Sequence, residues 1–216
     1  MIFITGDTHR DFSRFDSFCR KNKTTKNDLM IVLGDASLNF YGEKSDRVKK
    51  CEVSRLPLTF FFIRGNHEMR AESIQSYKKK EWQGGSVLVE DEFPSLLFAI
   101  DGEIYDIGGL ETIVIGGAYS IDKETRIIYE PFWGKTWWED ELLSSQEKRR
   151  ITKKLKEKDW KIDCVLSHTA PLGYEPRELF LHGVTQKEVD KSMERWLDGI
   201  EKKLDYKHWW FGHYHG

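Results

Sequence analysis

Five short apolar runs constrain the fold of this 216-residue chain more than any other feature of its sequence. Each run is continuous rather than alternating in polarity and is rich in β-branched or aromatic residues. Runs of this length and type are typical of strands that are covered on both faces. We therefore predict five buried strands, at residues 1–5, 29–33, 58–63, 162–167 and 207–211.

Helical patterns lie between these runs. Residues 12–19 place four apolar side chains on one helix face, and residues 189–204 repeat apolar side chains mostly at steps of three and four. Strand, helix and strand in alternation favour a largely parallel sheet with right-handed crossovers. Residues 87–119 differ, because glycine-containing turns at 101–102 and 108–109 predict antiparallel hairpins. We predict an α/β fold in which two mixed β-sheets pack face to face, with helices outside.

The composition disfavours several classes of protein, without excluding local binding of nucleic acid. The 34 Lys and Arg residues nearly balance the 36 Asp and Glu residues, which leaves a formal charge of −2 and no general basic field for nucleic acid. No apolar run reaches the roughly 18 residues of a membrane span, and the first residues lack the pattern of a secretory signal. We expect a cytoplasmic protein in which residues 1–216 form a single domain.

Each predicted strand ends in polar residues that are able to bind a metal ion. Loops at the carboxyl ends of parallel strands converge on one crevice, so these residues are expected to meet there. The three cysteines are far apart and form no C-x-x-C pair, which leaves nitrogen and oxygen donors. The clusters are Gly6-Asp7-Thr8-His9, Gly34-Asp35, Gly65-Asn66-His67-Glu68, His168 and Gly212-His213-Tyr214-His215.

The donor types and their number predict a centre with two metal ions. Imidazole, carboxylate and carboxamide groups without thiolate suit Mn²⁺, Fe²⁺ or Zn²⁺. The candidate ligands outnumber the three that a catalytic zinc ion commonly takes. Asp35, alone on its loop among the five strands, is the candidate bridge between the ions. Individually, Asp35 could cap a helix and His168 could be a structural core residue, but all five clusters together favour a metal site.

The clusters, in this order, resemble the signature of the calcineurin-like metallophosphoesterase superfamily: D-x-H, G-D, G-N-H-[DE], H and G-H-x-H. The resemblance extends over residues 1–216. It implies two mixed sheets flanked by helices, in an α/β/β/α four-layer sandwich with the metal site at the carboxyl ends of strands. It also implies that Asp7, His9, Asp35 and His215 bind one ion, and that Asp35, Asn66, His168 and His213 bind the other.

The resemblance further implies a phosphoesterase that hydrolyses a phosphomonoester or a phosphodiester by direct attack of a metal-bridging hydroxide. Asp35 would neutralise both cations, and His67 would be the catalytic imidazole beside the leaving group. The implied ions are two divalent metals, with Mn as the first choice and Fe, Zn, Ni and Mg as alternatives. The implied partner is a small phosphorylated substrate, with nucleotides among the candidates. The alternatives are a catalytically silent scaffold with this fold and a nuclease of the same superfamily.

The sequence departs from the family pattern at three places. Gly34-Asp35 lacks the second Asp of G-D-x-x-D, which argues against a protein phosphatase. Arg10 stands where the family usually has Gly, and its guanidinium is a candidate to contact the substrate phosphate as a catalytic residue or to form a surface ion pair. Members usually continue beyond G-H-x-H, so the domain is expected to lack C-terminal strands beyond Gly216.

Three further segments lead to structural expectations. Trp133, Trp137 and Trp138 are expected in a loop, where they either cap the core, which we favour, or stack on a nucleobase. The charged run at 147–158 is predicted to be a solvated helix face with ion pairs between turns. We interpret the three lysines at 78–80 in the same way.

Overall fold

A computed structural model describes residues 1–180, 183 and 185–215 of the chain. Five helices and ten strands are found in this part, together with short 3₁₀ turns. The helices are α1 (Ser13–Asn22), α2 (Glu43–Ser54), α3 (Lys123–Trp133), α4 (Ser145–Glu157) and α5 (Ser192–Glu201). The strands are β1 (Ile2–Thr5), β2 (Leu29–Val32), β3 (Thr59–Phe62), β4 (Lys78–Trp82), β5 (Gly85–Val89), β6 (Leu96–Ala99), β7 (Ile104–Ile107), β8 (Leu110–Ile115), β9 (Cys164–Ser167) and β10 (His208–Phe211).

The strands form two mixed sheets, as the sequence predicted. The first sheet has the order β1-β2-β3-β6-β5-β4, and its first four strands are parallel. The second has the order β10-β9-β8-β7, in which only β7 runs antiparallel. The hairpin expected at 108–109 is present as β7-β8. The one expected at 101–102 does not form, because this turn connects β6 of the first sheet to β7 of the second, and β6 pairs antiparallel with β5 instead.

The two sheets pack face to face and share an apolar core. Along β2, Leu29 and Ile31 point between the sheets, while Met30 and Val32 point to the outer face, as the two-residue period of a strand requires. Tyr105 of β7 is fully buried, and its hydroxyl donates to the backbone carbonyl of Ser86 on β5 at 2.7 Å. This hydrogen bond joins the two sheets inside the core.

Helices cover both outer faces. Phe15 and Cys19 of α1 pack on the first sheet, and Ile151 and Leu155 of α4 pack on the second beside α5. The order of layers is therefore α/β/β/α, which confirms the fold expected from the sequence. Helix α4 also confirms the helix predicted at 147–158, because it buries one apolar stripe and leaves most of its charged side chains exposed.

Two strand predictions need correction. The lysines at 78–80 lie in the edge strand β4 and not in a helix, because they pair with the apolar strand β5. Strands β1 and β10 are at sheet edges and are half exposed, not covered on both faces. Ile2 is 45% exposed and Trp210 is 48% exposed, since an edge strand has a neighbour on one side only.

The three tryptophans do not act as one group. Trp138 is buried and packs its ring against Phe40 at 5.2 Å, as expected of a core cap. Trp133, however, ends helix α3, is 60% exposed and stacks on Tyr129 at 4.4 Å. None of the side chains of α3 is buried. Among the described residues, no helix combines the length and the apolar character that crossing a membrane requires.

Candidate metal centre

The loops that carry the predicted ligands begin at the same level of their sheets. In the first sheet, Thr5 pairs with Val32 and Val32 pairs with Phe62, so β1, β2 and β3 end together. In the second sheet, Phe211 pairs with Ser167, so β9 and β10 also end together. Because these strands are parallel within each sheet, their carboxyl ends deliver five loops to one place.

Asp7, His9 and His215 form the first group of donors. Oδ2 of Asp7 lies 3.2 Å from Nε2 of His215 and 3.8 Å from Nε2 of His9. The two imidazole Nε2 atoms are 2.8 Å apart. One ligand atom from each residue lies within 4.8 Å of the others, so a single cation would be within reach of all three.

A second group adjoins the first. Nε2 of His168 lies 2.9 Å from Oδ1 of Asn66 and 3.6 Å from Oδ1 of Asp35. The ring of His213 lies 5.0 Å from that of His168, and its backbone N–H donates to Oδ1 of Asp7 at 2.9 Å. All seven predicted ligands are thus brought together. Ligand atoms of Asp7, Asp35 and His168 lie within 4.8 Å of one another, so the two groups adjoin at Asp7 and Asp35.

Glycines allow the loops to approach each other this closely. A Cβ atom on Gly65 would lie 1.9 Å from Oδ1 of Asp35, and one on Gly34 would lie 2.0 Å from Nδ1 of His168. Neither contact is sterically possible, so any side chain at these positions would displace a predicted ligand. Gly34 and Gly65 are therefore part of the site.

The backbone is strained at four of the predicted ligands. His9, Asp35, His213 and His215 have φ values of 43°, 48°, 70° and 54°, in the left-handed region that side chains with a Cβ atom rarely adopt. Such strain persists only where the surroundings hold it, and it clusters at functional sites. The concentration of these conformations here agrees with a functional centre.

The donors of the two groups fit a divalent cation. Oδ2 of Asp7 is buried and has no hydrogen-bond partner among the described residues, since the contact with His215 lacks hydrogen-bond geometry. A buried carboxylate oxygen without a partner costs free energy unless a cation or a donor neutralises it. Burial and the neighbouring His168 lower the pKa of His213 to about 3, so this ring is neutral, which is the form that binds metals.

Comparison with known protein families agrees with this geometry. The model of the calcineurin-like phosphoesterase family matches residues 1–216. The chain belongs to this family. Members of the calcineurin-like phosphoesterase family are mostly metal-dependent phosphoesterases. No curated protein and no solved structure matched the chain.

In this member of the family, His67 lies beside the donors without joining either group. Its backbone N–H donates to Oδ1 of Asp35 at 2.8 Å, and its Nε2 is 3.8 Å from Oδ2 of Asp35. Its ring meets that of His9 edge to face at 5.3 Å. Burial lowers the pKa of His67; the carboxylate of Asp35 opposes this effect and the guanidinium of Arg126 adds to it.

Outer hydrogen bonds orient two of the donors and were not apparent from the sequence. Nδ1 of His168 donates to the backbone carbonyl of Leu33 at 2.7 Å, which leaves Nε2 to accept or to bind a cation. Nδ2 of Asn66 donates to Oγ of Ser120 at 3.0 Å, and this hydroxyl donates to Glu141 at 2.5 Å. Asn66 therefore presents its carbonyl oxygen towards the centre.

The structure places Arg10 away from the centre. Its Nη1 donates to Oδ1 of Asp46 at 2.7 Å and to the carbonyl of Ser37 at 3.0 Å, and its Nη2 donates to the carbonyl of Ser45 at 2.7 Å. Of the two alternatives, the ion pair is therefore the one that forms. This pairing corrects the sequence interpretation, in which Arg10 was a candidate catalytic residue.

A cavity of about 550 Å³ opens over the donors. His9, Asp35, Asn66 and His67 contribute to its floor, and apolar and aromatic side chains contribute to its walls. The sequence did not single out Arg126, which also lines this cavity. The apolar and aromatic lining residues are Tyr119, Ile121, Leu179, Phe180, Val189 and Tyr214.

Proposed function

We propose that this protein is a dinuclear metal-dependent phosphoesterase that hydrolyses a small phosphorylated substrate, either a monoester or a diester. The observation that carries the proposal is the meeting of seven nitrogen and oxygen donors from five loops beside His67, five of which line a cavity. Membership of the calcineurin-like phosphoesterase family supports the same reaction class.

Two divalent cations fit this donor set, with Mn²⁺ as our first choice and Fe²⁺, Zn²⁺, Ni²⁺ or Mg²⁺ as alternatives. One would be held by Asp7, His9, Asp35 and His215. The other would be held by Asp35, Asn66, His168 and His213. When bound, such cations supply Lewis acidity towards a phosphoryl group and a nucleophile at neutral pH.

Asp35 is proposed to serve both cations. Burial by itself would raise the pKa of Asp35, but His168 and His67 outweigh burial and hold this pKa below its ordinary value. The carboxylate is therefore ionised at neutral pH. One of its oxygens already accepts the backbone N–H of His67 at 2.8 Å, which fixes the orientation of the side chain. Asp35 thus supplies a negative charge to the centre and helps to position His67.

His67 is proposed to donate a proton to the departing oxygen of the substrate. Its lowered pKa leaves the imidazole mostly neutral in the free protein at pH 7. An anionic phosphoester beside the ring favours the imidazolium form, so substrate binding raises the pKa towards the working pH. Positioned proton donors of this kind typically accelerate a reaction by about 10²–10⁴-fold.

The cavity supports a small substrate with an apolar or aromatic leaving group. Its volume of about 550 Å³ lies within the range of small-molecule sites. Tyr214 and Phe180 stack with their ring centroids 6.1 Å apart, and Ile121 lies on the same cavity wall. An aryl group or a nucleobase would bury its flat face against such a surface.

A hydrolysis panel with Mn²⁺ tests the proposal. It compares aryl and alkyl phosphate monoesters, aryl phosphate diesters and cyclic nucleotides, each with the metal-loaded protein and with the chelator-treated protein. Metal-stimulated hydrolysis of at least one class is expected. If Mn²⁺ and each alternative metal leave every substrate intact, the protein is not the hydrolase we propose.

The variants His67→Ala and His67→Gln test the proton donor. We expect them to retain their metal ions and to lose about 10²–10⁴-fold in kcat on an alkyl phosphate, with a smaller loss on a nitrophenyl phosphate, whose leaving group needs no proton. His208→Ala is the matched control, because His208 is exposed on strand β10 and lines no part of the cavity. Unchanged turnover of the alkyl phosphate would remove His67 from this role.

A further inference from the structure

Arg126 is the one arginine among the described residues that lines the cavity over the donors. It lies on helix α3, and its side chain is 16% exposed. His67, the proposed proton donor, lines the same cavity. A permanent positive charge therefore faces the space in which an anionic substrate would sit, because a guanidinium stays protonated at every accessible pH.

Two hydrogen bonds fix the direction of this guanidinium. Nε donates to Oδ2 of Asp122 at 2.7 Å, and Nη1 donates to the backbone carbonyl of Thr136 at 2.8 Å. Within the described part of the chain, Nη2 has no protein partner. Asp122 also lines the cavity. Arg126 is thus held at the cavity wall with donors remaining for a ligand.

A purely structural role for Arg126 would require α3 to need it for packing. However, none of the side chains of α3 is buried, and Phe132 and Trp133 point largely into solvent. The helix contributes nothing to the three apolar cores. Truncation of Arg126 therefore leaves no cavity in a core and is expected to preserve the fold.

We propose that Arg126 binds the phosphoryl oxygens of the substrate, in the role for which the sequence had suggested Arg10. This inference rests on the proposed function, because it assigns a residue to the same site. The planar fork of a guanidinium matches two oxygens of a phosphoryl group, and the resulting bonds are charge-assisted. Asp122 and Thr136 orient the fork before the substrate arrives, so less freedom is lost on binding.

The test measures the binding of inorganic phosphate to the Mn²⁺-loaded protein by calorimetry, together with inhibition of hydrolysis by phosphate. Arg126→Ala is expected to weaken the binding of phosphate about 10- to 100-fold, as loss of a charge-assisted hydrogen bond implies. Arg126→Lys keeps the positive charge without the planar guanidinium and is expected to weaken the binding of phosphate only several-fold. Lys135→Ala removes one positive charge from an exposed residue close to α3 and is expected to match the wild type.

The outcomes separate this inference from the proposed function. If the wild type hydrolyses phosphoesters and Arg126→Ala binds phosphate as tightly as Lys135→Ala, Arg126 has no such role, while the reaction class stands. If the wild type binds phosphate through Arg126 but hydrolyses no phosphoester, the proposed reaction fails and the anion site stands. Failure of the wild type to bind phosphate overturns the inference, and so does equal weakening by Arg126→Ala and Lys135→Ala.

Discussion

Replacement of Asp35 by asparagine is expected to reduce the stabilisation of the protein by metal ions without lowering the stability of the metal-free protein. Asp35 is 1% exposed, and asparagine retains an oxygen that accepts the backbone N–H of His67. At pH 8 the neighbouring rings of His67 and His213, whose pKa values are lowered, are neutral and do not offset the burial of this carboxylate in the metal-free protein. The metal-free variant is therefore expected to melt no lower than the metal-free wild type.

The size of the metal effect follows from mass action and chain length. A ligand at 100 times its Kd stabilises the folded state by about 2.7 kcal/mol per site. For the 216 residues of this chain, the entropy of unfolding is about 0.45 kcal/mol/K. Each ion is therefore expected to raise Tm by about 6 °C, and two ions by about 12 °C.

Melting curves recorded by circular dichroism, with and without saturating Mn²⁺ after removal of metals by a chelator, measure both quantities. We expect Asp35→Asn to reduce the metal-dependent rise in Tm from about 12 °C to about 6 °C or less, because Asp35 is proposed to bind both ions. Asp91→Asn is the control, since Asp91 forms an exposed ion pair with Lys78. A rise in Tm equal to that of the wild type would refute the shared-ligand role of Asp35.

Two further predictions concern stability. Burial favours protonation of Glu147, but the hydrogen bond from Arg70 contributes to lowering its pKa to about 2. After allowance for solvent screening, Glu147→Gln should therefore lower the free energy of unfolding by about 1–2 kcal/mol above pH 5. In urea titrations this difference should vanish as the pH falls from about 4.5 to 2. Gly65→Ala should cost more than about 2 kcal/mol and abolish Mn²⁺ binding in calorimetry, because the new Cβ collides with Asp35. Gly199→Ala, in open space on α5, should instead stabilise by about 0.5–1 kcal/mol. Equal changes in stability for Gly65→Ala and Gly199→Ala would contradict the explanation by close approach. A loss of stability in Glu147→Gln that persists at pH 2 would contradict the assigned pKa.

The meeting of the predicted donors could be anticipated because it depends on local rules. Asp35 follows a buried apolar run, and His168 follows another, so each lies at the carboxyl end of a strand. Parallel pairing then brings such ends to one edge of a sheet without any knowledge of the side-chain packing. The sequence predicted the layers of the fold for the same reason, because continuous apolar runs mark strands that need cover on both faces.

Features that depend on tertiary contacts could not be anticipated. The ion pair of Arg10 with Asp46 joins residues whose proximity depends on how the loop before α2 folds back. Arg126 reaches the cavity through the placement of α3, a helix that carries Pro131 and buries none of its side chains. Strand β4 consists mostly of charged residues and is a strand only because β5 pairs with it.

The seven donors come from both halves of the sandwich: Asp7, His9, Asp35 and Asn66 follow strands of the first sheet, while His168, His213 and His215 follow strands of the second. Neither sheet by itself can assemble the centre. A cation bound there would link the two sheets, and it would be released whenever their shared core opens. Metal occupancy would therefore report the docking of one sheet on the other during folding.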